Sequence, residues 1–240
     1  MSNLGGAACF LCLINLCFGA FTKCKMEDDQ CLAKAIEDGI KQLQPGMPEF
    51  ELPPLDPLKI DKLVLGRGTG AVHLVQNYRN IELLGMTQLT VPKAHFDAEK
   101  KILTFTTVHP NITQKAEYSA DGQILVLQVY GHGRSTITFS NCRLDVQVRF
   151  KTVKKNDETF YKISDFRTHL IELDNLALNF ENLFDGNKLL GDNLNKVINE
   201  EWRVLFEDVV DEVDKQYSAV ELKYAQKLFD RLPVKYIFAD

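Results

Sequence analysis

Across residues 189–217, apolar side chains recur at Leu190, Leu194, Val197, Ile198, Trp202, Leu205, Phe206, Val209 and Val213, a spacing that gathers them on one side of an α-helix. That face carries the chain's one tryptophan and needs an equally apolar surface to cover it. The region before it, 59–180, has a different period. Val72, Leu74 and Tyr78 alternate with polar neighbours, as do Leu103 and Phe105, and then Leu125, Leu127 and Val129. No helix-length pattern interrupts these strands, so the sheet is predicted to be antiparallel. The fold class is therefore α+β: a highly curved antiparallel β-sheet wrapped around a long C-terminal α-helix.

Two slips of phase support the curvature. Ile137 and Phe139 are odd-numbered, whereas Leu144, Val146, Val148 and Phe150 are even, which predicts a bulge or bend near Ser140-Asn141. The same slip separates Ile171 and Leu173 from Leu176, Leu178 and Phe180, around Asp174-Asn175. Bent strands twist more strongly, as a sheet curling around a helix must. Hairpin turns are predicted at Ala120-Asp121-Gly122-Gln123 and at Lys155-Asn156-Asp157.

A first helix is predicted over 28–43, ended by Pro45-Gly46. Four prolines in 47–58 exclude helix and central strand there, leaving an extended strap across the surface whose Leu55 and Leu58 tuck under the sheet edge. After the long helix, Ser218-Ala219-Val220-Glu221 reads as a capping box that restarts a helix toward Leu232. Pro233 stops it, and Val234-Lys235-Tyr236-Ile237-Phe238 forms an apolar tail.

The apolar run over 7–20 ends in small residues and reads as a signal-peptide core, with cleavage after Gly19 or Ala20. Residues 21–240 are then one secreted domain. No later stretch has the roughly 18 apolar residues of a membrane-spanning helix. Loss of the signal removes Cys9, Cys12 and Cys17, so the C-x-x-C they suggest is no redox or zinc motif. Cys24 and Cys31 flank a short acidic loop and are the expected disulfide, leaving Cys142 as a buried free thiol. Asn111-Ile112-Thr113 is a glycosylation sequon close to a predicted hairpin.

Several chemistries find no support. A net charge of -5 argues against a nucleic-acid partner. Gly66-Arg67-Gly68-Thr69-Gly70 precedes a strand pattern, whereas a dinucleotide fingerprint must open a helix, so a glycine-rich hairpin fits better. His73, His95, His109, His132 and His169 show no paired ligand spacing, so no metal or other cofactor is expected. Glu201, Asp208 and Glu212 edge the apolar stripe as a solvated border rather than as an acid–base pair. No catalytic residue is assigned. Such a chain is better suited to holding a small hydrophobic molecule than to changing one.

The ordered motifs carry a likeness. They are Cys24 and Cys31, then Pro45-Gly46-Met47-Pro48-Glu49 and Leu52-Pro53-Pro54-Leu55-Asp56-Pro57-Leu58. Next come Gly68-Thr69-Gly70-Ala71-Val72, Tyr78-Arg79-Asn80-Ile81 and Leu84-Gly85-Met86-Thr87, with Asn199-Glu200-Glu201-Trp202 and the 233–238 region at the end. Over essentially the whole mature chain this resembles the insect takeout and haemolymph juvenile-hormone-binding protein family. The resemblance implies a tubular lipid-binding fold, secretion, and carriage of a terpenoid-hormone-like or fatty-acyl-like ligand in an apolar tunnel. Roles in that family include hormone transport, feeding, circadian output and chemosensation. Hormone-binding members carry a second disulfide, which the lone Cys142 cannot supply, so the chain sits closer to the takeout side.

The candidate lining residues are Trp202, Phe206, Phe105, Leu127, Tyr130 and Phe139, with the hydroxyls of Tyr78 and Tyr130 available to a ligand's polar end. Two other functions fit the same composition: a secreted signalling or immune interaction protein whose apolar interior is only core, and an extracellular enzyme acting on lipid esters.

Overall fold

The computed structural model describes residues 21–66 and 70–239; the expected signal segment lies outside the described residues. Helix α1 (Asp29–Gln42) is capped by Asp28, whose carboxylate accepts from the Cys31 N–H at 3.0 Å. Seven strands follow: β1 (Leu58–Leu65), β2 (Val72–Leu84), β3 (Thr90–Asp97), β4 (Ile102–Ile124), β5 (Leu127–Lys155), β6 (Glu158–Glu172) and β7 (Asn175–Phe180). Every pairing is antiparallel, and the sheet runs β1-β2-β4-β5-β6, with β3 also on β4 and β7 also on β5.

The 29 residues of β5 would extend about 95 Å if straight, far beyond a domain of this size, so the strand has to bend. It bends at Asn141, which takes φ 49°. Opposite stands Pro110, which has no N–H to give to the ladder, and the two form the one skipped position in an otherwise constant β4–β5 register. Each strand's inner face changes parity there. Partners change as well: β4 trades β2 for β3, and β5 trades β7 for β6. The sheet is thus two sub-sheets creased along Pro110–Asn141, each with its own apolar cluster. The slip at Asp174-Asn175 is the break between β6 and β7.

Of the two predicted turns, Asn156 and Asp157 form one, both at positive φ as a tight hairpin requires. The other is displaced: β4 runs on to Ile124, and the chain turns at Leu125-Val126. Gly122 is instead inside the ladder because a Cβ there would come within 2.1 Å of the His73 carbonyl oxygen. Close backbone approach, not a turn, explains this glycine.

The strap contains a short 3₁₀ turn, Pro48–Phe50, and is less superficial than expected, since Phe50, Leu52, Leu55 and Leu58 are all buried. The Asp56 carboxylate fastens its end by accepting from Gly85 N, Thr87 N and the Thr87 hydroxyl.

The C-terminal helix is segmented where one continuous helix was expected. Helix α2 (Lys188–Glu200), α3 (Trp202–Glu207) and α4 (Val210–Phe229) are separated at Glu201 and at Asp208-Val209. Each piece docks differently on the sheet. Asn195 and Asn199 on α2 bond the backbone of Phe180 and Leu178 along β7. Asp208, expected on a solvated border, accepts from Gly70 N at 2.7 Å and Val72 N at 2.8 Å, closing the entry to β2. No helix restarts at Ser218, because α4 passes straight through it. Ser218 is buried, and its hydroxyl accepts from Thr168 N and donates to Thr168 O.

Cys24 and Cys31 are bonded, and the C-terminal tail packs beside them: Ala239 N donates to Cys24 O at 2.9 Å. Phe238 of the tail is buried against Phe96 at 4.9 Å between ring centroids.

Candidate ligand-binding interior

Between the sheet and the C-terminal helices lie three adjoining cavities. The first, about 120 Å³, is enclosed by β2, β4, β5 and β7 against α2, α3 and the start of α4. The middle one is about 70 Å³. The largest, about 290 Å³, lies beyond the crease under α1, the tail and the second half of α4. Phe139, Phe206, Val213 and Tyr217 wall both the first and the middle; Leu58, Met86, Leu144 and Glu221 wall both the middle and the largest. The parity change positions these walls. Leu103, Phe105, Thr107 and His109 of β4 face the large chamber on odd numbers, whereas Gln114, Tyr118 and Ala120 face the first on even ones.

Trp202, Phe206, Phe139 and Tyr78 line the first chamber, and Phe105 the largest. Trp202 is buried, with the Arg203 guanidinium 4.3 Å from its ring. The Tyr78 hydroxyl already donates to Gln76 Oε1 at 2.6 Å. Leu127 and Tyr130 line none of the three cavities. With the turn at Leu125-Val126, Leu127 sits 47% exposed at the hairpin base, and Tyr130, on the even face of β5, points outward against Phe184. Asn111 is exposed in mid-strand at the crease, not near a hairpin, and accepts from the Ser140 hydroxyl at 3.1 Å.

The polar groups of the interior were not singled out by the sequence. The Tyr217 hydroxyl donates to Gln114 Oε1. Glu221 accepts from the Thr168 hydroxyl, and burial, with Asp214 nearby, pushes its carboxyl up to about 7. Glu221 is half-buried and walls both the middle and the largest chambers. His109 is buried in the large chamber; desolvation pulls its imidazole down to about 4, so the ring is neutral. Its Nε2 meets Thr107 Oγ1 at 3.2 Å, while the enclosed Nδ1 makes no hydrogen bond of good geometry, and the Gly85 backbone only partly offsets the desolvation. Cys142 is a buried free thiol held up to about 11 by desolvation, which makes it unreactive. His95 and His169 pair with Asp29 and Asp214. Among the described residues no helix is long and apolar enough to cross a membrane.

A curved sheet closed by helices around a chambered apolar interior defines a cavity-bearing α+β fold. The profile of the haemolymph juvenile hormone binding protein (JHBP) family matches residues 7–239, and the chain belongs to that family. It is similar to the circadian clock-controlled protein daywake of Drosophila melanogaster, 24% identical over 224 residues covering 90% of this chain and 86% of the relative. A shorter match is to the juvenile hormone-binding protein of Manduca sexta, 24% identical over 87 residues, 36% of this chain and 38% of the relative. The crystal structure of Takeout 1 from Epiphyas postvittana shares the fold, with a TM-score of 0.83 at 22% identity, covering 91% of this chain and 99% of that one.

Proposed function

We propose that the chain is a secreted carrier that holds one elongated hydrophobic ligand in its chambered interior. The observation that carries this reading is the almost unbroken apolar lining of three adjoining cavities, the largest about 290 Å³. A well-packed core does not leave such space, and a preformed dry cavity of about 150 Å³ already suffices to hold a benzene-sized molecule. Affinity comes from apolar burial at about 25 cal/mol per Å². The names of the relatives, one a juvenile hormone-binding protein, favour a lipidic ligand. Cys142, buried and with no partner cysteine among the described residues, sets this chain apart from a two-disulfide hormone carrier. Cleavage of the signal near Ala20 and glycosylation at Asn111, whose side chain lies on the outer face, belong to the same reading.

Native mass spectrometry of the naturally secreted protein tests it. A bound mass of lipid size, lost on organic extraction, is the expected result. A clean apo mass that accepts nothing across a lipid panel would favour an interaction protein whose interior is only core.

A further inference from the structure

Glu221 lines both the middle and the largest chamber, and no lysine or arginine lines any of the three. Its neighbours are accounted for. Asp214 accepts from Leu170 N and from His169, and Tyr217 is engaged with Gln114. Docking of α4 on β6 is already served by Ser218, which holds both backbone groups of Thr168. Glu221 adds only the bond from the Thr168 hydroxyl to Oε2, and among the described residues its Oε1 has no hydrogen-bond partner. A carboxyl in an apolar cavity with an open oxygen is costly and calls for a polar partner. His109 also walls the large chamber, but its Nδ1 is fully enclosed.

Resting on the carrier reading, we propose that Glu221 is the head-group recognition point of the interior and selects lipids bearing an uncharged hydroxyl or carbonyl over ionised fatty acids. A protonated Glu221 donates to a carbonyl or ester oxygen, and an ionised one accepts from a hydroxyl. A carboxylate head would meet the Glu221 carboxyl with no lysine or arginine on the chamber walls to balance it, and a second buried negative charge is strongly disfavoured.

The test is displacement of the uncharged dye N-phenyl-1-naphthylamine by three ligands of equal chain length at pH 8: hexadecanol, methyl palmitate and palmitate. The alcohol and the ester should compete at least about tenfold better than the acid, the weight of one buried hydrogen bond or one unpaired charge. Glu221→Leu should weaken the alcohol about tenfold and shrink the discrimination against palmitate, whereas Glu221→Gln, a neutral donor and acceptor, should bind the ester at least as well as the wild-type protein does. Equal competition by palmitate in the wild-type protein would overturn the inference without any variant. So would discrimination that persists unchanged in Glu221→Leu. Failure to take up the dye and all three lipids would instead sink the carrier reading itself.

Discussion

Pro110 and Asn141 face each other across β4 and β5 at the one position where the ladder between them is skipped. Everything that gives the interior two ends turns on this pair: the parity of both inner faces, the exchange of outer strands and the division of the apolar core. The crease demands specific backbone conformations. Asn141 has φ 49°, and Gly85 beside it has φ 87°, with a Cβ position 2.2 Å from the Asn111 carbonyl oxygen.

Asn141→Gly should therefore leave stability nearly unchanged, while Asn141→Val should cost about 2 kcal/mol, because a β-branched residue is strained in the left-handed region. Gly85→Ala should cost about 2–3 kcal/mol, since it adds a backbone clash to the strain. Urea denaturation midpoints check the order. An Asn141→Val protein as stable as wild type would show that the crease does not depend on this residue.

Much of this architecture was legible in the sequence, and for a clear reason. A strand with one buried face records its orientation in the parity of its apolar residues, so the slips at Ser140-Asn141 and Asp174-Asn175 marked where β5 bends and where β6 gives way to β7. Gly122 misled because a glycine demanded by a crossing backbone looks the same as a glycine demanded by a turn. That error placed the hairpin short of its true end and Leu127 away from the exposed hairpin base where it sits, whereas Tyr130 is on the even, outward face of β5, opposite in parity to Val129. Ser218 and Glu221 misled more instructively. Their spacing of three does put both side chains on one helix face, as in a capping box, but here that face presses on Thr168 of β6. The interior polar site was invisible because it joins α4, β4 and β6, which are far apart along the chain.

Leu58 tests the strap. It is 4% exposed and walls both the middle and largest chambers. Leu58→Ala should cost about 2–3 kcal/mol by enlarging existing space that cannot collapse, with a fall of several degrees in Tm. An unchanged Tm would show that the strap is not packed against the sheet.

Glu221 and His109 set opposite limits on stability against pH. Glu221 has a folded pKa of about 7, above its ordinary value of 4.5, so between those values the folded state holds the proton more tightly and stability falls as pH rises. His109 sits at about 4, below its ordinary 6.5, so stability is lost as pH falls through that interval. Glu221→Gln should remove the decline on the alkaline side and gain at most about 3 kcal/mol at pH 8. Its groups in reach, Asp214 and the Thr168 and Tyr217 hydroxyls, carry no positive charge that would reverse the sign. Denaturation curves from pH 5 to pH 8 settle the matter: equal slopes for wild type and variant would mean that Glu221 is hydrated.

Trp202 reports on the opposite end of the interior. It is the chain's single tryptophan, opens α3, and lines the first chamber with Ile198, Leu205 and Phe206. Its emission should be blue-shifted in the folded protein and move to that of hydrated indole on unfolding. A ligand confined to the large chamber beyond the crease would leave that emission unchanged, because Trp202 does not wall it. An elongated ligand that threads past Phe139 and Phe206 into the first chamber must touch or repack the ring. We expect the second outcome, a saturable change on titration with hexadecanol. Trp202→Phe keeps an aromatic ring but deletes part of a buried one and should cost about 1–3 kcal/mol, while altering affinity for long chains more than for short ones. If affinity is the same for both lengths, the ligand ends before the crease. An emission maximum typical of water-exposed indole in the native state would contradict the enclosure of α3 by the sheet.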